Sequence, residues 1–162
     1  MPEPWLRGTL TEIDAVPRQI LHALELAAED CTRWCDDLTE PELNARPYGL
    51  PSVAFHMRHI ARSLDRLLTY ADDRWLDEDQ LAALDTEHDP ITREPLFQEF
   101  TLGLSEAAQR VRAFNPDRYD QKRSVGRNRL PSTLGGLLVH CAEHTQRHVG
   151  QMVTTAKLAV AP

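Results

Sequence analysis

A chain of 162 residues with 41% apolar and 27% charged side chains is sized for one domain with a sizeable core, and its composition argues against disorder. Eighteen basic against 25 acidic residues leave a net charge of −7, which repels phosphate backbones and disfavours nucleic acid as a general partner unless a local basic patch overrides it. No apolar run approaches the roughly 20 residues of a membrane helix, and the opening MPEPWLRGTLTEID has no basic-then-apolar leader, so a cytoplasmic chain without membrane association is expected.

Leucine, alanine, glutamate and arginine dominate while valine and isoleucine are sparse, a mix that favours helices over strands. The first helix is predicted from about Val16 to Leu38. Its apolar stripe of Ile20, Leu21, Leu24, Leu26, Ala27, Cys31, Trp34 and Cys35 keeps helical spacing. LTEPELNARPYGLPS follows, rich in helix stops, with one extra helical turn in LTEPEL. Ser52 suits the N-cap of a second helix through VAFHMRHIARSLDRLLTYADD, where Val53, His56, Ile60, Leu64, Leu67 and Leu68 repeat at three and four. RWLDEDQLAALDTEHDP reads as a connection with a short helix inside it. A third long helix is expected from about Thr92 to Phe114, stopped by NPD. RYDQKRSVGRNRLP is a polar, basic excursion that reads as a hairpin turning near Gly126, and Pro131 announces a fourth helix from Ser132 or Thr133 to about Leu158.

These elements predict a single all-α domain, a four-helix bundle with a short extra helix and a loop or hairpin before the last helix. The long stretches after the second and third helices permit a crossover connection.

The fourth helix carries His140, His144 and His148 at a spacing of four, which stacks side chains on one face. Residues one turn apart, with Cα atoms roughly 6 Å apart, can turn two imidazoles onto one ion, whereas His140 and His148 are roughly 12 Å apart. The pair is therefore 140/144 or 144/148. FHMRHIA on the second helix offers His56 and His59 as a third ligand, and helical bundles build metal sites from inward side chains on facing helices. Three neutral nitrogens leave a position open for water or substrate, the mark of a catalytic zinc site. Cys141 with His144 is a rival ligand pair, though a small apolar cysteine in the core is the plainer reading.

LPSVAFHMRHIARSLDRLLTYA together with VGRNRLPSTLGGLLVHCAEHTQRHVGQM resembles the DinB-like (DinB/YfiT-type) family over nearly the whole chain. The motifs that carry the resemblance are one histidine on the second helix and an H-x-x-x-H-x-G-Q run on the fourth. The resemblance implies a four-helix bundle in which three histidines bind a divalent metal, zinc or nickel. RHIARSLDRLL then places one ligand at His59, and EHTQRHVGQ places the others at His144 and His148. His56 and His140 fall outside the triad. Some relatives are S-transferases using bacillithiol, mycothiol or glutathione, one branch isomerises maleylpyruvate with mycothiol, and members are often dimers. A homodimer acting on a small molecule, with a low-molecular-weight thiol as cosubstrate, is the expectation, and a metal-dependent hydrolase or a non-catalytic metal- or ligand-binding module are the alternatives.

Other polar groups are assigned from position. Glu143 or Gln151 could hold the second nitrogen of a ligand imidazole, and Glu143 is also the candidate general base, although a solvated or ion-paired glutamate is the plainer reading. Arg147 points about 100° away from His148. Arg118, Lys122, Arg123, Arg127 and Arg129 make the stretch before the fourth helix basic. Of these, Arg123 and Arg127 are the candidates for pairing with a thiol cofactor's carboxylates, against the alternative of an ordinary solvated loop. Cys31 and Cys35 are one turn apart without the thioredoxin spacing and read as small core residues with reduced thiols. Trp5, Trp34 and Trp75 are assigned to core or dimer surface.

Overall fold

The computed structural model describes residues 1–161. Four long helices carry the domain: α1 (Ala15–Cys35), α3 (Val53–Ala71), α5 (Arg93–Ala113) and α6 (Leu134–Ala159). The short helices α2 (Glu40–Asn44) and α4 (Glu78–Asp85) lie in the connections, and a two-stranded antiparallel hairpin, β1 (Lys122–Val125) and β2 (Leu130–Thr133), leads into α6. The expected bundle, extra turn, short helix and hairpin are all present. Single 3₁₀ turns at Pro4–Leu6, Pro47–Gly49 and Pro116–Arg118 were not foreseen; each opens on a proline.

Local chemistry sets the boundaries. Ser52 caps α3 by accepting from the Phe55 amide, and Thr133 caps α6 by accepting from the Gly136 amide. Capping boxes open the short helices, Thr39 with Glu42 and Asp77 with Gln80. The first helix ends at Cys35 rather than Leu38. The hairpin pairs Lys122 with Thr133 and Val125 with Leu130, and its turn uses positive φ at Gly126 and Arg129.

α5 and α6 each pack against both α1 and α3, so consecutive long helices face one another diagonally in two cases, α1 with α3 and α5 with α6. The stretch after the third long helix therefore crosses the bundle, whereas α3 and α5 remain neighbours. Thr155 bonds to Pro51 and His59 faces His144, so α3 and α6 run antiparallel.

The core is built from the expected stripes of α1 (Ile20, Leu24, Ala27, Cys31 and Cys35) and α3 (Ile60, Leu64 and Leu68), joined by Leu138, Cys141, Val149 and Met152 from α6. All three cysteines are free and buried, in keeping with their reading as small core residues. Of the two places expected for the tryptophans, core or dimer surface, the core is excluded for Trp5 and Trp75, whereas Trp34 packs against its edge. Trp5 and Trp75 are 53% and 56% exposed. Trp34 is half-buried beneath the cations of Arg33 and Lys157. No helix among the described residues is long and apolar enough to cross a membrane.

The α3–α5 seam is closest at Gly103, where an added Cβ would lie 2.5 Å from the Ala61 Cβ. Because backbone stands behind that contact, relief requires the helices to part. Gly103→Ala is expected to destabilise the protein by about 1–3 kcal/mol despite alanine's better helix propensity, as read from chemical denaturation.

Candidate metal centre

The antiparallel arrangement brings the middle of α3 against the middle of α6, and the histidines meet there. Nε2 of His59 lies 3.0 Å from Nε2 of His144. The His59 and His148 rings are 4.3 Å apart between centroids, and those of His144 and His148 4.6 Å. One ligand nitrogen from each of His59, His144 and His148 can be chosen so that all three lie within 4.8 Å of one another. Tetrahedral coordination with bonds of about 2.0–2.1 Å needs nitrogens about 3.3 Å apart, so the grouping could hold a divalent metal ion with small side-chain adjustments.

The protonation states suit that use. His144 is driven down to about 4 by burial and by the neighbouring His148 and His59, and His148 to about 4 by burial and by His59. His56, also pushed down to about 4 by burial and His148, sits 2% exposed with its Nδ1 3.1 Å from Nδ1 of His148. Neutral imidazoles offer lone pairs, which metal binding requires.

These depressed values also govern stability. In the unfolded chain the three imidazoles take a proton near pH 6.5, whereas in the fold they resist it until about 4. The folded form binds fewer protons in that window, so its advantage is complete above pH 6.5 and is lost as pH falls toward 4. The thermal midpoint of the metal-free protein is expected to start falling near pH 6.5, above the range where ordinary carboxylates protonate, and a midpoint unchanged down to pH 5 would contradict this reading.

The partner of His59 was not found from sequence. Its Nδ1 lies 2.7 Å from Oε2 of Glu87, in the loop after α4. A ring that donates from Nδ1 to that carboxylate turns its Nε2 toward the cluster, where it lies 3.0 Å from Nε2 of His144. Glu87 is 5% exposed. Burial opposes its ionised form, but hydrogen bonds from His59 and Arg66 outweigh that and hold its carboxyl below the ordinary range. Arg66 donates to the other oxygen at 2.9 Å.

Arg66 is the last rung of a ladder. Arg58, Arg62 and Arg66 follow one another at four-residue spacing along α3, and each grips the segment that carries Glu87. Arg58 donates to the carbonyls of Thr86 and Asp89, and Arg62 to the Ala83 carbonyl and the Thr86 hydroxyl. Thus one helix presents metal-ligand candidates on one face and, on the next, the cations that hold their supporting carboxylate. Phe55 stacks between His59 and His88, with the His88 ring 4.1 Å away and nearly parallel.

The remaining candidates are placed elsewhere. His140 stands beside His144 but is 41% exposed at its side chain and bonds to Glu143 at 3.2 Å. Glu143 is exposed and paired with Arg147 at 2.7 Å, as the ion-paired reading anticipated, and Glu87 fills the supporting role proposed for Glu143 or Gln151. Cys141 is buried and its thiol is pushed up to about 12 by that burial, which leaves it a core residue. Arg123 is turned inward, donating to the Ala71 and Lys122 carbonyls, so it fastens the hairpin to the end of α3 rather than facing a ligand. Arg127 is exposed on the hairpin turn.

Compared with known protein families, residues 23–152, which include all three histidines and Glu87, match the DinB superfamily. No curated protein and no solved structure matches the chain.

Proposed function

The chain belongs to the DinB superfamily, and from that membership and the three-histidine cluster we propose a metal-dependent transferase that adds a low-molecular-weight thiol to an electrophilic small molecule. The observation that carries the reading is the convergence of His59, His144 and His148, backed by a buried carboxylate on His59. These nitrogens suit zinc or nickel. A bound ion of that kind supplies Lewis acidity, lowering the pKa of a thiol or water placed beside it.

The protein's own groups do the rest. His59, His144 and His148 hold the ion, Glu87 keeps the His59 lone pair turned inward, and Arg66 keeps Glu87 ionised. The three rings are only half-buried, so a thiol can approach from the solvent side. Hydrolysis is the second reading, and it calls for a base to take the proton of the attacking water. The two nearby carboxylates are both committed: Glu87 to His59 and Arg66, and Glu143 to Arg147 and His140. That leaves no free carboxylate for base-assisted hydrolysis, so a hydrolytic route would have to rely on a water acidified by the ion itself.

A panel of thiols offered to the zinc- or nickel-loaded protein with a generic electrophile tests the assignment. Turnover that requires a thiol is expected. Turnover without thiol supports the hydrolase, and a fully loaded protein inert in both assays supports a non-catalytic binding module.

A further inference from the structure

The seam between α3 and α6 does not end at the histidines. On α3, His59 leads by steps of four to Ser63 and Leu67. On α6, His148 leads back through His144 and His140 to Gly136. The two rows run side by side toward the hairpin, and there they enclose a depression of about 630 Å³ lined by Leu67, Val125, Gly136, Leu137, Val139 and His140, among others. Its size falls within the range of small-molecule sites. His140 is a wall shared with the cluster, since its ring is 5.3 Å from that of His144. The depression begins one turn from the cluster, at His140, and Gly136 at its far end is roughly 12 Å from His144 along the helix axis.

Its chemistry differs from that of the surface around it. Most of the lining is aliphatic or glycine, and Val139 projects 55% exposed from a helix whose other apolar side chains mostly face the core. No arginine or lysine lines it, and its single carboxylate, Glu143, is neutralised by Arg147. Such a wall gives nothing to the carboxylates of an acidic thiol. It suits an uncharged alkyl or aryl body.

Resting on the metal-dependent reading above, we infer that this trough receives the apolar tail of the electrophilic substrate, whose polar head lies at the three histidines. The substrate class is thus a molecule with a metal-seeking polar end and an extended hydrocarbon body, lying along α6 toward the hairpin.

The test uses the full chain loaded with cobalt(II) and a series of straight-chain hydroxamates from acetyl to octanoyl, with binding read from the cobalt absorption spectrum. The dissociation constant is expected to fall about two- to fourfold per added methylene, approaching full apolar transfer. Val139→Asp, at a position exposed enough to spare the core, should bring the octanoyl affinity close to the acetyl value. Leu84→Asp, on α4 away from the trough and 43% exposed, should keep the chain-length dependence. Cobalt binding with affinities that do not change with chain length overturns the trough while leaving the metal centre standing. Spectra that respond to no hydroxamate overturn it too, by denying an open position at the ion. Failure to take up cobalt at all overturns the metal reading, and this inference with it.

Discussion

Replacing His144 with alanine is expected to take the purified, zinc-reconstituted protein from about one equivalent of metal to below about a tenth, with His59→Ala and His148→Ala giving the same result. His144 stands at the centre of the arrangement: its Nε2 is 3.0 Å from that of His59, and its ring is 4.6 Å from that of His148. Two nitrogens remaining in a half-exposed site cannot compete with water and buffer for the ion. The substitutions remove half-buried, partly desolvated imidazoles, so loss of fold is the alternative explanation for lost metal, and circular dichroism separates the two. His140→Ala supplies the contrast, because the same residue type one turn away should leave the stoichiometry intact. Metal lost on His140→Ala and retained on His148→Ala would show that the pair is 140/144.

The second large effect is at Glu87. Glu87→Gln keeps the shape but removes the charge, and is expected to weaken metal binding about 10- to 100-fold, as is usual when the carboxylate behind a ligand histidine is lost. Two causes act together. The amide no longer favours the tautomer with its lone pair on Nε2, and Arg66 faces a neutral partner in a site where Glu87 is 5% exposed. Glu87→Ala should do the same to the metal and also lower the thermal midpoint, since it leaves the Arg66 guanidinium buried without a counter-charge. Competition with a chromophoric chelator measures the first effect and a melting curve the second. Equal metal affinity in Glu87→Gln and the unaltered protein would show that the carboxylate only anchors the loop.

The fold was legible because its signals are local. Caps at Ser52 and Thr133, apolar positions repeating at three and four, and proline at the openings can all be read within a window of one element. The ligand set was legible in part for the same reason. Spacing on α6 alone left two pairs open, and only the likeness to the DinB-like family, over a motif of matching residues, preferred His144 with His148 and His59 over His56. What sequence could not show is the support. Glu87 lies 28 residues from His59, in a loop with no periodicity, and is brought there by Arg58, Arg62 and Arg66 of α3, to which the spacing of the apolar stripe assigns no role. The one available clue was chemical: a ligand imidazole needs an acceptor behind it, and the single carboxylate on α6, Glu143, was not committed to that position by spacing. Arg123 illustrates the opposite error. A charged residue in a basic loop reads as solvent-facing, yet its guanidinium finds two carbonyls, Ala71 and Lys122, and is 6% exposed.

The ladder of Arg58, Arg62 and Arg66 shares its helix with His56 and His59, so the angular offset between the two rows is set by the pitch of α3 alone. Inserting a single residue just after His59 would swing everything beyond it by about 100°. His59 would keep its place, while Arg62 and Arg66 would let go of the loop and Glu87 would drift from the imidazole it supports. Descendants of this chain can therefore exchange residue for residue along α3 with some freedom, but the count of residues between the ligand and its clamps is a dimension they must inherit unchanged.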